Sequence, residues 1–231
     1  VNFFSNHGLL RIFNRPAWQT VSGGSKEYVK KVLSNPKIRA FKNSKSTIYR
    51  TTDGMWELKF KNKKRKYNHV VIAAHSDEVK EIIKSKEKKN LTFFSDITYS
   101  KNLVFLHSDC NLMPKNKKVW ASWNYIENKK EISVSYWMNL LQNLATTQNF
   151  FVTLNPSRKP AKNKTYKKII YEHPVYNFKT FSLQRKINSI QGKNNLWFCG
   201  AYLGYGFHED GIKSGKNVSK NLLKLILNER N

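Results

Sequence analysis

Cysteine is nearly absent from this chain. Cys110 and Cys199 are the only two in 231 residues, too few for a disulfide framework, and a reducing compartment, the cytoplasm, is the expected location. Six prolines and ten glycines exclude collagen-like and Pro/Gly-rich low-complexity chains. Apolar runs are short. Those at 70–74 and 150–152 fall far below the ~20 residues of a bilayer-spanning helix, so no transmembrane segment is expected. Acidic residues are scarce, 15 against 42 lysines and arginines. What is present suits a globular protein, with 39% hydrophobic and 13% aromatic residues in a length sufficient for one large domain. The chain opens on Val1 rather than Met, within a segment (Val-Asn-Phe-Phe) that reads as the middle of an element. The expectation is that an N-terminal portion lies upstream.

A formal charge of +27 suggests nucleic acid at first reading. The composition of that charge argues otherwise. Lysine outnumbers arginine 34 to 8 and rises together with 26 asparagines, whereas phosphate recognition favours the bidentate guanidinium. Joint Lys and Asn enrichment is what an AT-rich genome imposes on solvated surfaces. The basic runs at 61–66, 84–89 and 159–168 are expected in exposed loops, and no specific nucleic-acid partner is expected.

Along the chain, residues 1–16 read as a short packed segment (Phe3, Phe4, Leu9, Leu10, Ile12, Phe13) closed by Pro16. Residues 26–34 carry Tyr28, Val29, Val32 and Leu33 at helical spacing behind Ser25 as N-cap. Residues 46–60 read as a hairpin turning at Asp53-Gly54. Residues 67–74 read as a buried strand of parallel-sheet type, and 76–84 as a helix with Val79, Ile82 and Ile83 inward. Strands are expected at 103–106, 119–125, 131–137 and 150–154, with short loops at 115–118 and 127–130 and a short helix at 139–144. Residues 181–190 read as a weak helix, 195–201 as a last buried strand and 209–228 as a final helix. The fold class is therefore α/β with α+β character, a strand-rich block interrupting two strand-plus-helix units.

The segment Trp197-Phe-Cys-Gly-Ala-Tyr-Leu-Gly-Tyr-Gly-Phe-His-Glu-Asp-Gly-Ile-Lys-Ser-Gly215 is the most informative. A strand ends in small residues, an aromatic and glycine-rich loop follows, and a helix begins near Glu209. Small residues at a strand end let a ligand approach the backbone, and a helix start offers N–H groups to an electron-rich group. Glu209 and Asp210 can equally complement the helix dipole.

This segment resembles the C-terminal flavin-binding motif of the FAD-dependent amine oxidase superfamily. The chain is similar, more narrowly, to bacterial NAD/FAD-binding oxidoreductases associated with cyclopropane-fatty-acid synthase. The likeness also rests on Asn6-His-Gly-Leu-Leu10, Thr20-Val-Ser-Gly-Gly-Ser25, Val70-Val-Ile-Ala-Ala-His-Ser-Asp77, Leu106-His-Ser-Asp109, Leu112-Met-Pro114, Ala121-Ser-Trp-Asn-Tyr125, Tyr136-Trp-Met-Asn139, Thr153-Leu-Asn-Pro156 and His173-Pro-Val-Tyr176. The resemblance implies the C-terminal part of a two-domain, FAD-binding Rossmann-type fold, with residues 17–75 and 186–231 on the cofactor side and a substrate domain inserted at 76–185. It implies FAD as cofactor, with Gly200, Ala201, Gly206, His208, Glu209, Asp210 and Gly211 beside it and a main-chain contact to the adenine near Ser44. Tyr205 would lie over the flavin face, and Trp123, Tyr136, Tyr205 and His173 would line the substrate cavity. The substrate would be a small organic or lipid-derived molecule. His208 stands where classical amine oxidases carry tyrosine. The superfamily's GxGxxG turn is missing, so the expected partner is an N-terminal half that carries it.

Other side chains have plainer readings. His107 and Asp109 with His208 and Asp210 lack a third spaced pair, and no metal is expected. Cys110 and Cys199 sit beside apolar runs, as buried thiols do. Trp120, Trp123, Tyr125, Tyr136 and Trp137 read as sheet aromatics, of which alternate members could line a cavity. No side chain can be named as catalytic acid or base. The alternative function is a basic module for nucleic acid or an anionic membrane surface, or an inactive truncation.

Overall fold

The computed structural model of the chain describes residues 13, 19–128 and 131–228. Of the packed segment expected over 1–16 only Phe13 falls among them. The motif at 6–10, and Lys129 and Lys130 of the expected hairpin loop, lie outside the described residues. The chain forms two compact units. One comprises Val1–Lys42 and Val104–Lys168, the other Asn43–Leu103 and Ile169–Asn231.

The unit of residues 43–103 and 169–231 begins with an antiparallel meander, β1 (Ser46–Arg50), β2 (Trp56–Phe60) and β3 (Lys63–Tyr67). The first two are the expected hairpin, with Ile48 opposite Leu58. Gly54 supplies a positive φ of 78° at the turn. The Asp53 carboxylate accepts the Thr51 hydroxyl and the Lys66 ammonium, which hold it at about 2, below the usual carboxylate value. β3 corrects the sequence expectation of a loop at 61–66. Lys61 turns the chain at φ 49°, and the strand that follows has four exposed positions out of five. An edge strand pairs through its backbone and tolerates lysine on both faces, so composition hides it.

β4 (Val70–Ile72) is shorter than the strand expected at 67–74 and pairs in parallel with β10 (Leu196–Phe198), Val70 opposite Leu196. A 3-10 turn (Ser76–Glu78) leads into α2 (Val79–Ile82), and a 3-10 segment covers Lys86–Asp96. α4 (Phe178–Ser189) starts three residues before expectation, because Asn177 and Thr180 form a reciprocal capping box. α5 (His208–Asn228) matches the expected final helix. The core joins the meander to these elements: Ile48, Trp56, Ile72, Val79, Ile83, Phe94, Ile187 and Phe198 are all buried. The Phe94 and Phe198 rings are 4.6 Å apart.

The five-stranded sheet runs β6 (Trp123–Asn128), β7 (Glu131–Trp137), β8 (Phe151–Leu154), β5 (Tyr99–His107), β9 (Thr165–Pro174) in spatial order. The unit boundary falls inside β5 after Leu103 and inside β9 after Lys168. The pairs β6–β7, β7–β8 and β5–β8 are antiparallel. β7 matches expectation residue for residue. β6 starts later than expected because residues 117–119 form a 3-10 turn, and the short helix is α3 at Met138–Leu141. β9 takes in lysines expected to be loop.

α1 (Lys26–Leu33) forms where expected, but Ser25 makes no side-chain cap bond and none of its residues is buried. The architecture is mixed α+β, with helices and sheets side by side. Among the described residues parallel pairing is limited to β4–β10 and an isolated bridge between Ile48 and Ile83, which does not make a parallel α/β sheet.

Candidate functional site

The loop between β10 and α5 is tied down by its own backbone. Cys199 N–H continues the parallel ladder to Ile72 O at 3.0 Å. Ala201 O then accepts the N–H groups of Gly204 and Gly206, both at 3.1 Å, and the Tyr176 hydroxyl at 3.4 Å. Gln184 Nε2 donates to Tyr202 O (2.9 Å) and Gly204 O (2.7 Å). The Asp210 carboxylate reaches back from the helix and accepts Tyr205 N–H and Phe207 N–H, each at 3.0 Å. Ser214 Oγ accepts Gly200 N–H at 2.9 Å, its own proton lying between Gly211 O (2.8 Å) and Gly200 O (3.2 Å).

These contacts sort the glycines. A Cβ on Gly200 would enter the Tyr202 ring, and one on Gly204 would enter the Asp210 carboxylate. At Gly206, φ is +89° and a Cβ would lie 2.8 Å from Tyr176 Oη. The chain's own packing accounts for all three. Gly211 is different. Its Cβ would meet nothing nearer than Ala201 N at 3.8 Å, and a glycine inside a helix costs about 1 kcal/mol relative to alanine. The fold supplies no reason for it.

Gly200, Ala201, Gly206, Asp210 and Gly211 therefore converge on one strand-loop-helix junction. α5 begins at His208, and Gly211 N–H already donates to Phe207 O at 3.1 Å. The N–H groups without an intrahelical acceptor are those one to three positions earlier, at His208, Glu209 and Asp210. His208 and Glu209 are exposed, and Glu209 pairs with Lys213 at 3.6 Å. Tyr205, 44% exposed, rests against the Phe181 ring at 6.1 Å. Ser44, half-buried, immediately precedes β1 by two residues, and His173 lies on the exposed side of β9, its Nδ1 accepting Asn102 Nδ2 at 2.9 Å. Three residues that hold the junction escaped the sequence reading: Ser214, Gln184 and Tyr176. Ser214 and Tyr176 lay within the motifs at 197–215 and 173–176, without a role assigned to either; Gln184 carried no signal. Burial raises the Tyr176, Tyr202 and Cys199 acids above their ordinary values, so these groups stay protonated at neutral pH.

Trp123 and Tyr136 lie in the other unit, opposite one another across β6–β7, with ring centroids 6.4 Å apart. Strand alternation places them on one face of the sheet with Tyr125, Ile132, Val134 and Val152. That face is apolar, yet Trp123, Tyr125 and Ile132 are 49%, 63% and 51% exposed. The opposite face is the buried one, and it carries polar groups: His107, Thr153, Ser135, Ser133 and Asn124. There Trp120 packs edge-on against Trp137 and Phe151, so the sheet aromatics divide between core and open face.

The buried groups satisfy one another. His107 Nδ1 accepts Asp109 N–H (3.1 Å), which leaves Nε2 to donate to Thr153 Oγ1 (2.8 Å), itself 2.7 Å from Ser135 Oγ. Burial lowers the affinity of His107 for a proton. Burial would raise Asp109, but the N–H groups of Ala161 and Asn111, with Lys164 and Arg158, outweigh it and hold the carboxyl below its usual range. Among the described residues no three His, Cys, Asp or Glu side chains are grouped to hold a metal ion, and no helix is long and apolar enough to cross a membrane.

Neither a family model nor a curated protein matches the sequence. Solved structures do match the fold. A CLA-producing fatty acid isomerase from P. acnes aligns with a TM-score of 0.57 at 14% identity, over 85% of this chain and 52% of its own. A putrescine oxidase triple mutant from a redesign of cofactor binding aligns at 0.59 and 9%, over 87% and 53%. A reduced UDP-galactopyranose mutase aligns at 0.53 and 12%, over 78% and 45%. The chain thus spans about half the length of each. At these identities the likeness establishes the fold and not the chemistry.

Proposed function

We propose that this chain is the C-terminal portion of an FAD-dependent oxidoreductase of the amine oxidase superfamily. The reaction would be hydride transfer to flavin from an organic substrate, amine-like or lipid-related. The observation that carries the reading is Gly211, a glycine in the first turns of a helix where a Cβ would stand at ordinary contact distance from Ala201, 3.8 Å from its N and 4.0 Å from its Cβ, and would overlap nothing. Close approach of a group from outside the chain is the physical reason for such a residue. The fold neighbours lend support, since one is named for a fatty acid and another for putrescine and cofactor binding.

In this reading the strand end at Gly200 and Ala201 offers the cofactor a backbone that carries no side chain of its own larger than a methyl group, and Gly206 lies in the loop that follows. The N–H groups at His208, Glu209 and Asp210 present a positive helix end to the flavin's electron-rich edge. Asp210 does not contact the cofactor through its carboxylate, which is committed to the loop; it holds the cradle's shape. Ser44 offers backbone to the adenine. FAD, when bound, supplies the hydride-accepting chemistry. Residues 17–75 and 186–231 would form the cofactor part; the parallel pairing of β4 with β10 joins its two segments, while the compact units of the chain divide instead after residues 42, 103 and 168. Residues 76–185 form the substrate part. The exposed apolar sheet face with Trp123 and Tyr136 suits an apolar substrate body. The partner is an N-terminal half with GxGxxG. No observation favours the basic-module alternative.

The test is flavin content. The complete gene product should purify with flavin absorbance, and Gly211→Leu should lose most of it while keeping its circular dichroism. A colourless wild-type protein, or a Gly211→Leu variant with full flavin, would overturn the proposal.

A further inference from the structure

Residues 19–42 are exposed without exception. They include α1 (Lys26–Leu33), no residue of which is buried. Such exposure is ordinary for a polar helix and costly for this one. At about 100° per residue Tyr28, Val29, Val32 and Leu33 fall within one arc about 140° wide, and Lys26, Lys30 and Lys31 share the remainder with Glu27. The four apolar side chains are 49%, 44%, 56% and 39% exposed. Past the helix Ile38, 42% exposed, continues the apolar set between Lys37 and Arg39. A single exposed valine needs no explanation, whereas five large apolar side chains along one short segment mark a surface made to be covered.

Charge and shape select the cover. A second copy is opposed by repulsion, since each chain carries +27. A shaped protein groove is met by anchors over two or more helical turns, at i, i+3, i+4 and i+7. Here the apolar face covers only residues 28–33, and the helix ends at Leu33. A lipid surface demands neither shape nor length. It takes apolar side chains into the acyl boundary while lysine ammonium groups stay among the headgroups. Over residues 26–42 six lysines and arginines stand against one acid, Glu27. Five of the six are lysine, a compact charge that suits a diffuse negative surface as well as it fails as a bidentate fork.

We propose that α1 is a membrane-docking helix, its Tyr28, Val29, Val32 and Leu33 face seated at the headgroup boundary of an anionic bilayer. Lys26, Lys30 and Lys31 meet the lipid phosphates around it. This is a seat for one helix rather than a use of the net charge at large, and it does not require the flavin reading.

The test is co-sedimentation of the complete gene product with phosphatidylcholine vesicles and with phosphatidylcholine–phosphatidylserine vesicles at about 3:1, in about 0.1 M salt. Binding to the anionic vesicles should be about tenfold or more tighter and should weaken as salt rises. A protein of +27 can reach such a surface through lysines anywhere, so the apolar face decides. Val29→Ser combined with Leu33→Ser should lower the affinity about tenfold at an unchanged melting temperature, because neither side chain is buried. Lys30→Gln combined with Lys31→Gln should reduce the preference for phosphatidylserine, and it decides alone should the serine pair fail to fold. No binding to anionic vesicles would overturn the proposal, as it would if an upstream segment covered α1. So would equal binding to both kinds of vesicle, a folded serine variant that binds undiminished, or an unchanged preference in the glutamine variant. Binding of single-stranded RNA in place of anionic vesicles would overturn it too, and would give the segment to nucleic acid.

Discussion

Two glycines five residues apart in the β10–α5 junction should respond to alanine with opposite signs. At Gly211 the new Cβ would sit 3.8 Å from Ala201 N and 4.0 Å from Ala201 Cβ, ordinary contact distances with no overlap to subtract. The helical gain for glycine to alanine is about 1 kcal/mol, so Gly211→Ala should stabilise by roughly that amount. At Gly206 the backbone stands at φ +89° and the Cβ would press to 2.8 Å from Tyr176 Oη. The left-handed conformation costs a non-glycine residue about 1 kcal/mol or more. Overpacking adds about 1–3 kcal/mol, and the Tyr176 bond to Ala201 O is put at risk as well. The variants should therefore differ by about 3–5 kcal/mol. Urea denaturation with unchanged slope would read this directly, and each kcal/mol should move the thermal midpoint by about 2–4 °C in a chain of this size. Destabilisation by Gly211→Ala beyond about 1 kcal/mol would refute the reasoning, because it would mean that this chain's own atoms need the space. A neutral Gly206→Ala would refute the loop geometry.

Stability should also fall with acid through His107. Its burial lowers the folded-state value, protons therefore bind the unfolded chain more readily, and the contribution is full above about pH 6.5 and lost as pH drops below it; urea midpoints should decline on acidification, and His107→Leu should flatten that part of the profile. The two faces of the sheet should behave oppositely: Phe151→Ala, at a fully buried ring, should cost about 3–5 kcal/mol, while Tyr125→Ser on the open apolar face should stay within about 0.5 kcal/mol. Equal losses in chemical denaturation would show that the two faces were misassigned. Cys199 is buried with its thiol pushed up, so an alkylating reagent should modify it in urea and spare it in the native protein over the same interval.

Legibility in the sequence followed periodicity. The hairpin of β1 and β2 carried alternation and an Asp-Gly turn, β7 alternated cleanly, and α5 had acidic residues at its start and a sustained apolar stripe; all three form where expected. β3 and the start of β9 did not show, because Lys63, Lys64, Lys66, Lys167 and Lys168 break any apolar pattern while leaving the backbone free to pair. The strand-loop-helix junction was legible from its small residues. Its individual glycines were not, since Gly206 and Gly211 look alike in sequence and only the neighbours of each Cβ separate them. Nor could composition reveal the open apolar face: Trp123 and Trp137 belong to the same run of sheet aromatics, and strand register alone puts one outside and the other against Phe151.

By itself the sequence determined the α+β character, the hairpin, the final helix and the junction before it, because propensity, alternation and turn chemistry act over a few neighbouring residues. Only the tertiary structure decided which face of the sheet is buried and the joining of Val70–Ile72 to Leu196–Phe198. Each of these depends on which distant residues come into contact, and burial or pairing of a group is a property of its neighbours in space.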